Sequence, residues 1–201
     1  MAPFTVLHVC MGNICRSPMA ERLLARAVRD RVAALSASPV DELVVSVSAG
    51  TGGWHEGEEM NPSAARQVLA RSGSVDGFGA RKLRGDFIDA ADLILTATAD
   101  QFDYVVALRA DAASRTFVLG EFARLLATLD AAALPPAEPK PDAVYARGVA
   151  IVEAADARRA KEAPLPSDDL DDPWGRGDQT FTRIADEIED ATVPFANLLV
   201  P

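Results

Sequence analysis

The residues best equipped for chemistry fall in one short stretch, Cys10-Met11-Gly12-Asn13-Ile14-Cys15-Arg16-Ser17. Cys10 and Arg16 bracket a loop whose backbone N–H groups can converge on one point. Such a concavity, backed by a helix N-terminus, binds a tetrahedral oxyanion. The positive end of that helix and Arg16 would both stabilise negative charge on the sulfur of Cys10, and thiolate is the nucleophilic form of cysteine. Arg16 also offers a planar fork for two phosphate oxygens, a geometry lysine cannot supply. Gly12 permits close backbone approach or a positive φ. Asn13 tolerates the left-handed region and can brace the loop through its side chain. The competing explanation is a small buried cysteine in an ordinary strand-to-helix turn.

The elements around the loop decide between these. Phe4 to Val9 is a short apolar run rich in β-branched residues, as a buried parallel strand requires. Ser17-Pro18 reads as an N-cap followed by proline at the first helical position. Leu23, Leu24, Ala27 and Val28 then fall at helical spacing, predicting a helix from Pro18 to about Arg31. Leu43 to Ser48 is a second strand, and Asn61-Pro62 repeats the cap-then-proline signature before a helix to about Arg71. Asp92 to Ala97 is a third strand, and Thr98 with Gln101 resembles a capping box opening the next helix. Thr116 to Leu119 is a fourth strand, followed by a helix from about Glu121 to Leu129. Strands alternating with helices predict an α/β fold with a parallel sheet and helices on both faces. Beyond Asp130 come a proline-dense linker (134–141), an alanine-rich helix from Ala143 to Ala163 and a loop from Pro164 to Gly177. A last helix, from about Asp178 to Leu199, carries Phe181, Ile184, Ile188 and Val193 on its core side. There are no internal repeats.

Composition narrows the function classes. The chain of 201 residues is the size of one large domain, with 49% hydrophobic and 25% charged residues. A formal net charge of -10 disfavours nucleic acid and anionic lipid as partners. Two cysteines and two histidines, His8 and His55, build neither a disulfide framework nor most zinc sites, so no metal or cofactor is expected. The sequence has no apolar run of about 18 residues and no secretory signal at its start, so a cytoplasmic protein is expected. Arginine far outnumbers lysine and alanine is abundant, which points to a GC-rich bacterial source. The glycine-rich stretches at 50–57 and 73–79 lack both the dinucleotide fingerprint and a Gly-Lys-Ser/Thr ending.

The stretch from Val9 to Glu21 closely resembles the signature of the low-molecular-weight protein tyrosine phosphatase family. Ser48-Ala49-Gly50-Thr51 with Trp54-His55 and Gly57, Ala80-Arg81, Asp92 to Leu95, Asp172-Pro173-Trp174-Gly175 and Phe181 to Asp190 resemble later blocks of that family. The likeness covers nearly the whole chain except about 130–167, which reads as an insert in a single domain spanning 1–201. It implies a four-stranded parallel sheet flanked by helices, with the phosphate-binding loop after the first strand, and hydrolysis of phosphate monoesters through a phosphocysteine. By motif position it implies Cys10 as nucleophile, Arg16 as the phosphate-binding arginine, Ser17 as a hydrogen-bond donor to the thiolate and Asn13 as a brace. Asp172 is implied as the general acid, which a leaving phenoxide or alkoxide demands in the absence of a metal.

Met11, Gly12, Asn13, Ile14 and Cys15 would wrap the substrate, with Trp54 and Trp174 as aromatic walls; partial burial against a loop is the plainer role for either tryptophan. Asp168, Asp169 and Asp171 read as solvated loop residues whose like charges would disfavour ionisation of Asp172, with Asp171 its nearest competitor as acid. The resemblance also implies a reversible Cys10–Cys15 disulfide, against a packed small residue; His55 reads as a surface or capping histidine. The pattern departs at Phe78, where a loop-supporting histidine is expected, at Thr98 in place of an aspartate, and at Gly175 in place of a second aromatic. The resemblance implies a phosphotyrosine protein as substrate, with a bacterial tyrosine kinase as one such partner, and a monomer or weak dimer. Two other functions stay open: arsenate reduction coupled to a small-molecule thiol, and a non-catalytic phosphate-binding module. The joint presence of Cys10, Arg16, Ser17 and Asp172 argues against the last, because binding alone needs neither nucleophile nor acid.

Overall fold

In a computed structural model the described residues are 2–35 and 39–200. Strands β1 (Phe4–Cys10), β2 (Val44–Gly50), β3 (Leu93–Thr96) and β4 (Thr116–Val118) form one parallel sheet in the order β2-β1-β3-β4. All residues of β3 and β4 are buried, as a sheet covered on both faces requires. Helices α1 (Arg16–Ala33), α2 (Val40–Leu43), α3 (Pro62–Ala70), α4 (Gly85–Asp89), α5 (Ala99–Leu108), α6 (Leu119–Leu126), α7 (Pro141–Arg159) and α8 (Asp178–Leu199) surround it. Phe4, Val6 and Cys10 of β1 point into the larger core beneath α1, α6 and α8, whereas Leu7 and Val9 point into a smaller one with Ile88 of α4 and Val105 of α5. The period-2 alternation of β1 thus feeds two cores, and the fold is doubly wound.

The chain leaves β1 toward β2 on one side, then crosses back to place β3 on the other. The carboxyl end of β1 therefore lies at a topological switch point, where open α/β sheets bind ligands. That is where residues 11–15 sit.

Several element boundaries differ from expectation. Helix α1 begins at Arg16 rather than Pro18, and its N-cap, Cys15, makes no side-chain capping bond. Ser17 lies inside the first turn instead of capping it, because its hydroxyl is engaged with Cys10. At α3 the expected cap does form: Asn61 Oδ1 accepts from the N–H groups of Ser63 and Ala64. At α5 the Thr98–Gln101 capping box is absent; Asp169, 70 residues on, accepts from the N–H of Ala99 at 2.8 Å. The final helix is as expected, with Phe181, Ile184 and Ile188 buried. Val193 is only half-buried, and Phe195, just past Pro194, fills the core instead.

The helix of the 130–167 segment, α7, packs at the amino ends of the strands, away from the loop at their carboxyl ends. Tyr145 Oη donates to Asp92 Oδ1 (2.9 Å), while Asp92 Oδ2 accepts from the N–H of Thr5 at the start of β1 (2.8 Å). Gly148 lies so close to the Phe4 ring that a Cβ there would meet it at 2.5 Å, hence glycine within the helix. Near its far end Arg159 donates to the carbonyls of Thr116 and Ala113 and stacks over Phe117. Among the described residues no helix is long and apolar enough to cross a membrane.

Candidate active site

The loop after β1 is stitched to its surroundings through its carbonyls. Cys10 and Met11 accept from the N–H groups of Thr51 and Gly52, and Ile14 accepts from that of Asn61. Among the described residues the N–H groups of Met11 to Cys15 have no acceptor, so the loop's unmet demand is for an anion. Gly50 backs the loop closely: a Cβ there would meet the Met11 carbonyl at 2.7 Å.

Asn13 is the brace. It sits at φ 55°, fully buried, in the left-handed conformation that asparagine tolerates best after glycine. Its Nδ2 donates to Ser17 Oγ (2.9 Å) and to Ser48 Oγ (2.8 Å), and its Oδ1 accepts from the N–H of Arg81 (2.8 Å). Ser48 in turn donates to Glu21 Oε2 (2.6 Å). Because Ser17 Oγ accepts from Asn13, its own hydrogen is free for Cys10 Sγ, 3.0 Å away. Accepting a bond makes a hydroxyl a stronger donor, so the chain from Asn13 through Ser17 polarises toward the sulfur. Burial pushes the Glu21 carboxyl up, while Ser48 and Arg22 pull it down.

Arg16 is buried, with 4% of its surface exposed, and an unpaired buried guanidinium is costly. Its Nη1 donates to the Leu170 carbonyl (3.1 Å) and its Nη2 pairs with Asp172 Oδ2 (3.0 Å). The loop that carries Asp172 is pinned near the sheet, because the Leu170 N–H donates to the Ala97 carbonyl just past β3. Asp172 Oδ1 also accepts from the N–H of Trp174 (3.1 Å), and half of its side chain remains open to solvent.

Cys10, Met11, Gly12, Ile14, Cys15, Arg16, Trp54, Asp172 and Trp174 line one cavity of about 370 Å³, so nine of the eleven residues singled out from sequence meet there. The other two, Asn13 and Ser17, are buried and hold the loop from within. Trp54 and Trp174 are 65% and 58% exposed, which makes them rims rather than packed walls. His55, expected at the surface, stands between them: its ring centroid lies 6.4 Å from that of Trp54 and 5.6 Å from that of Trp174, and its Nδ1 contacts Glu58 Oε2 at 2.7 Å. Both cysteines are buried and free, and burial with the nearby Cys10 and Asp172 charges pushes the Cys15 thiol up to about 12.

Asp169 and Asp171 are exposed, as solvated loop residues should be, whereas Asp168 is not. Asp168 is buried and takes Arg124 and the Leu165 N–H; Asp169 caps α5; Asp171 accepts from Arg183 of α8 at 2.6 Å. Each like charge is engaged elsewhere, so the ion closest to Asp172 is Arg16, and Asp171 is no competitor for the cavity. Phe78 packs under Arg22 rather than bracing the loop. That support comes from Ser48, Glu21 and Arg81, none of which was singled out for it. The one available signal was the pair of polar residues, Ser46 and Ser48, in a strand otherwise built of valine, alanine and glycine.

A family model described as low molecular weight phosphotyrosine protein phosphatase matches residues 5–153. The low molecular weight protein-tyrosine-phosphatase of Streptomyces coelicolor is 40% identical over 96 residues, 48% of this chain and 54% of that one. The corresponding YfkJ protein of Bacillus subtilis is 38% identical over 108 residues, 53% and 57% of the two chains. The chain thus spans about half the length of these curated relatives. A crystal structure of a protein tyrosine phosphatase from Entamoeba histolytica superposes with a TM-score of 0.65 over 96% of this chain and 94% of that one, at 20% identity, and shares its fold. Asp172 and Trp174 lie beyond the residues the family model matches.

Proposed function

The chain belongs to the low molecular weight phosphotyrosine protein phosphatase family, and on that premise we propose that it hydrolyses aryl phosphate monoesters, with phosphotyrosine in proteins as substrate. The observation that carries this is the meeting of Cys10, Arg16 and Asp172 in one cavity, although Arg16 and Asp172 lie 156 positions apart in the sequence. A phosphate entering the loop satisfies its N–H groups and takes the Arg16 fork. Asp172, now relieved of its partner, takes up the proton that Cys10 gives up in forming its thiolate and is free to turn to the leaving oxygen. The Cys10 thiolate attacks phosphorus; the S–P bond forms as the P–O bond to the aryl group breaks, and Asp172 delivers its proton to that oxygen. The same carboxylate then takes a proton from water, whose oxygen attacks phosphorus and expels the thiolate with inorganic phosphate. Ser17 stabilises the sulfur's negative charge at both ends of the cycle. The exposed tryptophans flank the entrance, where a flat ring attached to the phosphate would lie.

Phosphate release from a phosphotyrosine peptide, measured with a chelator present for the native protein and for Cys10→Ser, tests this. Release by the native protein that disappears in the variant, while the variant still binds vanadate, is the expected result. Equal turnover by the two would remove the covalent mechanism. No turnover by a reduced native protein that binds vanadate would favour the binding-module alternative.

A further inference from the structure

His8 has no part in the chemistry above, yet it lies in β1 two residues before Cys10, with its side chain on the same face. Only 1% of its surface is exposed. A buried imidazole in the middle of a strand must place both ring nitrogens. Its Nε2 lies 3.1 Å from Ser46 Oγ, and Ser46 Oγ gives its own hydrogen to the Glu21 carbonyl (3.0 Å). Ser46 therefore accepts from His8, which puts the ring proton on Nε2 and leaves Nδ1 as a bare acceptor. Burial holds the ring neutral, with a pKa lowered to about 3. Among the described residues His8 Nδ1 has no partner, and neither does Nε of Arg16, a donor that is also buried.

These two groups, one an acceptor and one a donor, border the same small chamber under the first turn of α1. It is also lined by Ala20, Leu95, Leu119 and Leu170 and has a volume of about 10 Å³. That is roughly the least that accommodates one water, and a buried water is stable where it finds at least two polar partners. We propose that a single internal water accepts from Arg16 Nε–H and donates to His8 Nδ1, making His8 a positioning residue for the guanidinium that receives phosphate. The guanidinium would then be fixed at three points: Leu170 at Nη1, Asp172 at Nη2 and the bridged histidine at Nε. When substrate displaces Asp172, the other two remain and keep the fork aimed at the loop. An apolar side chain at position 8 would fill the same space without supplying the acceptor.

The inference rests on Arg16 being the phosphate ligand, and its test is separable from turnover. In the native protein, nitrogen-15 NMR is expected to show His8 Nδ1 unprotonated and hydrogen-bonded, with cross-relaxation from a bound water to Arg16 Nε–H. In His8→Leu, exchange of Arg16 Nε–H with solvent should accelerate at least about tenfold, and the inhibition constant for inorganic phosphate should rise by a similar factor. A proton found on Nδ1, or no water at Arg16 Nε–H, overturns the proposal on the native protein alone, even if the variant fails to fold. Unchanged exchange and phosphate affinity in a folded His8→Leu would overturn it as well. A native protein that shows the bridged water but hydrolyses no phosphotyrosine leaves this inference standing and removes the function proposed above.

Discussion

Replacing Asn13 by alanine and, separately, by glycine distinguishes what the side chain bonds from what the backbone demands. The amide makes three hydrogen bonds, to Ser17, Ser48 and the N–H of Arg81. Without it, the part-buried Arg81 N–H loses its acceptor at a cost of about 1–3 kcal/mol, and each of the two serine bonds contributes about 0.5–1.5 kcal/mol more. Alanine also carries a Cβ into the left-handed region, adding about 1–2 kcal/mol, whereas glycine adopts φ 55° freely. The expected loss is therefore about 3–8 kcal/mol for Asn13→Ala, with Asn13→Gly about 1–2 kcal/mol less destabilised. A domain with about 5–15 kcal/mol of stability survives the lower part of that range, and urea unfolding measures it. Activity is a second readout. Ser17 loses the donor that holds its hydrogen toward Cys10, and a bond to a charged group is worth about 1.5–3 kcal/mol, so kcat/KM should fall about 10- to 100-fold in both variants. Equal stability of the two would mean the backbone at position 13 is unstrained. A loss below about 1 kcal/mol in both would refute the bracing role altogether.

Asp172→Asn should lower kcat/KM, which reports transfer of the phosphoryl group to Cys10, by about 10²- to 10⁴-fold for aryl phosphates with poor leaving groups and far less for those with good ones. Equal slowing across a leaving-group series would show that Asp172 is not the acid. The buried His8 makes stability fall with acid. The unfolded chain takes up a proton as pH drops through 6.5, while the native ring stays neutral to about 3, so the unfolded state binds more protons over that window. The native protein should lose up to about 1.4 kcal/mol per pH unit below 6.5 relative to His8→Leu, read from urea midpoints. The raised carboxyls of Glu21 and Glu121 act in the opposite direction but are common to both proteins, so they cancel in the difference. Parallel pH profiles would mean that His8 is not held neutral by the fold.

Much of this site is written locally. The apolar strand, the Cys10-to-Arg16 spacing and the helix behind it lie within about 25 residues, and each follows from the preferences of neighbouring side chains. Even the left-handed Asn13 is a local consequence, since asparagine tolerates that conformation where most residues do not. The alternation of strands and helices likewise carried the parallel sheet, because each apolar run has a length and spacing that only one layer arrangement buries. What required the tertiary structure were the bonds made across long stretches of chain. Ser17 satisfies local capping preferences, yet its hydroxyl is claimed by a sulfur seven residues back, so the helix starts earlier and uncapped. Thr98 and Gln101 resemble a cap, yet Asp169 arrives from the far loop and outcompetes them with a charged acceptor. The aspartates 168 to 172 read as one acidic run, but folding sends each to a different partner and leaves Asp172 to Arg16. Glu21, Ser48 and Arg81 are ordinary residues in sequence; they become the support of the loop only because β2 and the segment before α4 pack beside it. Backbone preference and hydrophobic period act over a few residues and so are legible in order along the chain. Pairing of buried polar groups is settled by whichever donor and acceptor the packed core brings within 3 Å, and that depends on the whole fold at once.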